Sequence, residues 1–198
     1  MKKIFFIAAA ISAAATFQAC QTADKKSSTT KDSVAGDTTM VNGVHTTGAE
    51  STATGLDEEG GTFLRKASVG GIMEIEAAKI ALTNSTNAEI KGFAQQMITD
   101  HTKANKELKE LALKKKVITP DGLPADEQIH LDAMKKMKGV DFDKHYIAMM
   151  VTDHEKTVKL FEDGKQNRDS ELKSWATSTL STIEAHTTKA KAIALNIK

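Results

Sequence analysis

Apolar residues recur at three- and four-residue spacing through most of the chain beyond residue 60, the period of a helix that buries one face. The first such stretch runs from Thr62, a candidate N-cap, to about Leu82, with Leu64, Ala67, Gly71, Glu74 or Ile75, Ala78 and Leu82 in line. Asn84-Ser85-Thr86-Asn87 interrupts it, and Asn87 can cap the next helix, because its side-chain oxygen accepts from the free N–H groups of a first helical turn. The second long helix spans about 88–116 and aligns Ile90, Ala94, Met97, His101, Ala104, Leu108 and Ala112. Pro120 and Pro124 bracket Asp121-Gly122-Leu123 and predict a loop. A short helix over 125–137 comes next, closed by Gly139, since glycine readily takes the left-handed conformation just past a helix end. The third long helix, 141–165, aligns Ile147, Met150, His154, Val158 and Phe161. After a turn at Asn167-Arg168-Asp169, the fourth carries Leu172, Trp175, Thr179, Ile183, His186, Ala190 and Ile193. No stretch sustains the two-residue alternation of a strand. The expected fold is all-α: an antiparallel four-helix bundle with one extra short helix between the second and third long ones.

Within this pattern one motif repeats. Met97-Ile98-Thr99-Asp100-His101-Thr102-Lys103 returns as Met150-Val151-Thr152-Asp153-His154-Glu155-Lys156, with a fainter echo at Ala185-His186-Thr187-Thr188-Lys189. His101, His154 and His186 each fall near the middle of an apolar stripe on a different helix, and Glu74 lies at the edge of the stripe on the first. His145 points away from the stripe of its helix, His130 sits on the short helix, and His45 precedes the helical region. Suppose the turn joining the first two long helices and the turn joining the last two lie at the same end. The three histidines then fall within roughly 8 Å of one another along the axis, at 1.5 Å per residue, and Glu74 lies a few Å beyond.

Three imidazoles and one carboxylate at one depth suit a single transition-metal ion, zinc, iron or copper, held by His101, His154, His186 and Glu74. The same residues also read as a polar core without metal, each histidine held by Asp, Tyr or water. Asp100, Asp153 and Tyr146 are the candidates for hydrogen-bonding the histidines from outside; each aspartate is about 100° round the helix from its neighbouring histidine, where it can bond the histidine of an adjacent helix or, as the better-favoured alternative, pair with a lysine of another helix. Met97 and Met150, four residues before two of the histidines, fit ordinary core filling better than copper ligation. A third reading, a mononuclear metalloenzyme, lacks any nucleophile elbow, phosphate loop or catalytic dyad.

Composition bounds the rest. Lys and Arg number 27 and Asp and Glu 26, a net charge of +1; no dense basic stripe with interleaved aromatics marks a nucleic-acid binder. The chain opens with Lys2-Lys3, an apolar run from Ile4 to Ala15, and then Phe17-Gln18-Ala19-Cys20. That run is short of the ~20 residues a bilayer span needs and reads as an export signal over 1–19. Cys20, the single cysteine, stands where a bacterial lipoprotein signal places its lipidated residue. Residues 20–60, rich in Ser, Thr, Asp and Gly, read as a lipidated cysteine and a flexible tether. The folded domain is expected over 62–198. The protein is thus expected to be exported and tied to a membrane through Cys20, facing the periplasm or as an outer-membrane lipoprotein.

The ordered set Gly70-Gly71-Ile72-Met73-Glu74-Ile75-Glu76, Phe93-Ala94 through Met97 to Asp100-His101, Phe142-Asp143 with Tyr146, Asp153-His154, and His186 resembles a bacterial exported domain-of-unknown-function family, number 4142, whose members are often labelled outer-membrane proteins. The resemblance covers about residues 62–193. It implies a ferritin-like four-helix bundle and no established activity. The di-iron pattern of ferritins, a Glu three residues before a histidine, is not met: those positions are Ile98, Val151 and Ile183.

Overall fold

The computed structural model describes residues 55–197. Five helices succeed one another: α1 (Glu58–Asn84), α2 (Ala88–Lys114), α3 (Ala125–Lys136), α4 (Gly139–Gly164) and α5 (Ser170–Asn196). Among the described residues there is no strand, and no helix is long and apolar enough to cross a membrane. The export signal, Cys20, His45 and nearly all of the expected tether lie outside the described residues.

Local chemistry sets the helix ends. Asp57, not Thr62, caps α1 by accepting from the Gly60 N–H at 2.8 Å, so the cap lies five residues earlier (62 − 57) and the helix takes in Gly60 and Gly61. Asn87 caps α2 as expected, accepting from Glu89 and Ile90, and Asp169 does the same for α5 at Glu171 and Leu172. Gly139 has the left-handed φ of +56° but opens α4 rather than closing α3, which ends at Lys136.

α1 packs on α2 and on α4, and α5 completes the ring by packing on both α2 and α4. The connections fix the directions. At one end, here the upper, Asn84 at the close of α1 donates to the carbonyls of Met134, Lys135 and Met137, and Lys138 just before α4 bonds back to Asn84. At the other end Asn167, in the α4–α5 turn, donates to Asp57 ahead of α1, and Lys115 after α2 reaches Asp169. The α1–α2 turn is therefore at the top and the α4–α5 turn at the bottom, opposite to the placement assumed from the sequence. The order is up, down, down, up, with every neighbouring pair antiparallel. The long return from the bottom of α2 to the top of α4 runs along α1, where Ser68 Oγ donates to the Pro120 carbonyl and α3 packs.

The apolar interior divides in two. An upper cluster gathers Ala77, Ala81, Ile90, Phe93, Met97, Phe142, Tyr146 and Met150, with Leu131 and Met134 of α3. A lower cluster gathers Phe63, Leu64, Leu108, Phe161, Leu172, Trp175 and Ile183. The four candidate site residues fall between the two. Counted down from the upper end, Glu74 and His186 lie about 10 residues deep, His101 about 13 and His154 about 15, a spread of about 8 Å at 1.5 Å per residue.

Candidate metal centre

Each of the four bundle helices sends one polar side chain into this layer: Glu74 from α1, His101 from α2, His154 from α4 and His186 from α5. All four are buried, with relative exposures of 4%, 7%, 0% and 0%. They reach the interior because each occupies an apolar-stripe position of its own helix. The three imidazoles converge. Ring centroids are 5.8 Å apart for His101–His154, 5.3 Å for His101–His186 and 5.4 Å for His154–His186. One nitrogen of each lies within 4.8 Å of one nitrogen of the others.

The outer contacts orient the rings. His154 Nδ1 is 2.9 Å from the Met150 carbonyl; a carbonyl only accepts, so Nδ1 carries the proton and donates. Its Nε2 has no hydrogen-bond partner and is left with a free lone pair. His186 Nε2 is 2.8 Å from Asp100 Oδ2, which places that proton on Nε2 and leaves Nδ1 without a partner. The aspartate before His101 thus serves the histidine of a neighbouring helix. Its counterpart Asp153 does not: it pairs with Lys156 on its own helix at 3.1 Å. Tyr146 is buried and stacks on Phe142, and its hydroxyl has no hydrogen-bond partner. Burial, and then the Glu74 charge, push that phenol well above its usual range.

Glu74 stands at the side of the triad. Its Oε2 is 2.9 Å from His101 Nε2 and its Oε1 3.3 Å from His154 Nδ1. The first contact is close but not aligned, since His101 Nε2 makes no hydrogen bond of acceptable geometry. Burial alone would raise the Glu74 carboxyl; the charges of His101 and His154 and the contact with His101 outweigh it and hold the group at about 2. Burial likewise lowers His186, to about 4, against the pull of its Asp100 bond, and the other two imidazoles lower it further. His101 goes the other way: burial opposes its charge, but Glu74 raises it above the ordinary value.

A buried carboxylate beside three imidazoles, two with a desolvated nitrogen facing no donor, is the donor chemistry of a divalent transition-metal ion. Bonds of about 2.0–2.1 Å to a tetrahedral ion place ligand nitrogens about 3.3 Å apart, so the present spacing closes by side-chain rotation of at most about 1.5 Å. Just below lies a cavity of about 30 Å³, lined by Gly71, His101, Asn105, Trp175 and Thr179 among others, enough for one or two waters. Gly71 makes it possible: a Cβ there would stand 2.2 Å from Asn105 Oδ1. The signal for Asn105 in the sequence is its spacing, four residues after His101 and three before Leu108, which puts it at the edge of the apolar stripe. Met97 and Met150 are fully buried in the upper cluster, where they act as filler. His130 and His145 lie apart from the centre, with rings 5.3 Å from each other.

A helical bundle with a histidine layer across its middle is what the fold and the site define together. The chain belongs to the DUF4142 family, a domain of unknown function, whose sequence pattern matches residues 45–193. Among solved structures it is similar to a DUF305 fragment from Deinococcus radiodurans, with a TM-score of 0.65 and 8% identity over 72% of this chain and 99% of that one. It is also similar to a structure described as CopM in the Cu(II)-bound form, with a TM-score of 0.59 and 19% identity over 69% of this chain and 96% of that one. At these identities the likeness is one of fold. No curated protein matches the chain.

Proposed function

We propose that this protein is a lipid-anchored envelope protein whose bundle holds one divalent transition-metal ion through His101, His154 and His186, with Glu74 as the neutralising carboxylate. The observation that carries the reading is the pair of orphaned nitrogens: His154 Nε2 and His186 Nδ1 are buried without partners, while the opposite nitrogen of each ring is hydrogen-bonded. A buried polar atom without a partner costs about 1–3 kcal/mol, and an ion between the rings removes that cost at both. Asp100 then has the role of fixing the His186 tautomer and raising its basicity. Copper ranks above zinc for such a nitrogen set in the general order of divalent affinities. That a bundle of the same fold carries Cu(II) supports the reading without deciding the ion.

A second reading has one observation in its favour. Glu74 contacts two imidazoles and Asp100 a third, so the layer can also be a purely polar core that fixes the register of the helices. Thermal unfolding with and without added Cu(II) or Zn(II) separates the two. Under the metal reading each ion raises the unfolding temperature of the native chain, and His154→Ala abolishes the shift. An unfolding temperature indifferent to both ions and to chelator sinks the metal reading and leaves the polar core. For the anchor, Cys20→Ser should move the protein from the detergent phase to the aqueous phase; unchanged partitioning overturns it.

A further inference from the structure

Away from the buried layer, a second group of metal-binding side chains meets at the surface. A groove of about 940 Å³ runs between α1, α3 and α4, lined by His130, His145, Met149, Glu127 and Asp153, floored in part by Met73 and reaching Glu74 at the edge of the buried layer. His145 and Met149 are four residues apart on α4 and share a face. His130 comes from α3, across the groove. Its Nε2 is 3.1 Å from Met149 Sδ, and its ring centroid is 5.3 Å from that of His145. All three residues are half-buried. Met149 packs against the upper apolar cluster, and its sulfur meets His130.

We infer that His130, His145 and Met149 form a second metal site, distinct from the buried triad, for a soft monovalent cation such as Cu(I). The donor set decides the class of ion. Two imidazoles and a thioether are all neutral, so a single positive charge suffices and no carboxylate is needed. Thioether sulfur prefers a soft ion and is a poor ligand for hard divalent ones. An imidazole nitrogen and a thioether have little other reason to meet, because sulfur is only a weak acceptor. Bonds of about 2.0 Å to nitrogen and 2.3 Å to sulfur set those atoms about 3.6 Å apart, so the present separation need open by only about half an ångström. The charges lining the groove offset one another, Glu74, Glu127 and Asp153 against Arg65, Lys66 and Lys156, so the neutral donors rather than a net field select the ion. The site does not depend on the buried centre being a metal site.

The test uses the full chain labelled with 13C at the methionine methyls, carrying His154→Ala so that the buried triad is incomplete and Cys20→Ser so that no thiol competes for the ion, and titrated with Ag(I), a redox-inert stand-in for Cu(I), in chloride-free buffer. One methyl resonance should move with the first equivalent, and Met149→Leu should remove that resonance. His130→Ala and His145→Ala should each raise the Ag(I) concentration needed by about tenfold or more, with far-ultraviolet circular dichroism confirming that each variant is folded. If another methionine responds first, or if the Met149 methyl responds equally well in both histidine variants, the thioether binds silver alone and the three-residue site is wrong.

Discussion

The upper and lower halves of the core are built from the same kinds of residue and do different work. Below the histidine layer, Phe63, Phe161 and Trp175 turn their rings toward one another at centroid distances of 5.0–5.9 Å. Above it, Phe93 sets its ring within 6.4 Å of His186 and 6.5 Å of His154, and its other neighbour is Tyr146 at 6.4 Å. The lower cluster closes the bundle; the upper one also grips the imidazoles. Aromatic edges and faces resist rotation of the rings they touch, so the upper half holds the centre's geometry while the lower half contributes mainly stability.

The largest expected effect tests that contrast directly. Phe93→Ala and Phe161→Ala should each cost about 3–5 kcal/mol in denaturant unfolding. Only Phe93→Ala should also weaken metal binding in a titration under conditions where both variants remain folded. Equal losses of affinity in the two variants would erase the difference between the halves. Next in size is Asp100→Asn, which keeps the volume but replaces the carboxylate on His186. Metal affinity should fall about 10–100-fold with little change in the unfolding midpoint of the metal-free protein. An unchanged affinity would mean that the aspartate orients nothing.

A pair of glycine substitutions probes the lower half and the layer's rim. A Cβ at Gly164 would stand 2.5–2.9 Å from the Phe63 ring, and a packed ring has nowhere to go, so Gly164→Ala should cost about 1–3 kcal/mol. At Gly71 the obstacle is the end of the half-exposed Asn105 side chain, which can swing aside. Gly71→Ala should therefore cost less, and a larger loss there than at Gly164 would reverse the ranking.

The smallest effect is that of pH on the metal-free domain. His186 is held at about 4 in the fold, chiefly by burial, while the unfolded chain takes up that proton near the ordinary 6.5. Below about 6.5 the unfolded state binds more protons, so stability should fall as pH drops from about 6.5 to about 4. His101, raised by Glu74 against its own burial, acts with the opposite sign: its contribution is full below about 6.5 and fades as pH rises through its folded value. Unfolding midpoints measured across pH 4–8 should peak near the middle of that range, and His186→Ala should flatten the acid side. An acid side unchanged by that substitution would assign the slope to other groups.

The four stripes were legible because long helices repeat their burial every 3.6 residues, and Met97, His101, Leu108, Met150 and His154 are all buried as the period requires. The meeting of the histidines was legible for a less obvious reason. The assumed placement of the two turns was wrong, yet the heights still matched, because each residue lies near the middle of a helix of 26 or 27 residues. Mid-height is the same from either end. What the pattern could not show was the docking of α3, a helix of 12 residues with only Leu131 and Met134 buried. That docking depends on Asn84 binding the carbonyls at its far end, a contact across 50 residues or more of chain that no local period encodes. His130 is carried by that helix, which is why the cluster with His145 and Met149 was invisible. Asp153 pairs with a lysine as the alternative reading has it, but with one three residues on along its own helix rather than on a neighbouring one.

Glu74 and His101 belong to the hairpin of α1 and α2, while His154 and His186 belong to that of α4 and α5. An ion at the centre would therefore be a rivet through the seam joining two separate halves of the chain. Cutting the polypeptide in the stretch between α2 and α3 would leave each fragment with part of the ligand set, and the metal would add its bonds to the apolar clusters that draw the fragments back together.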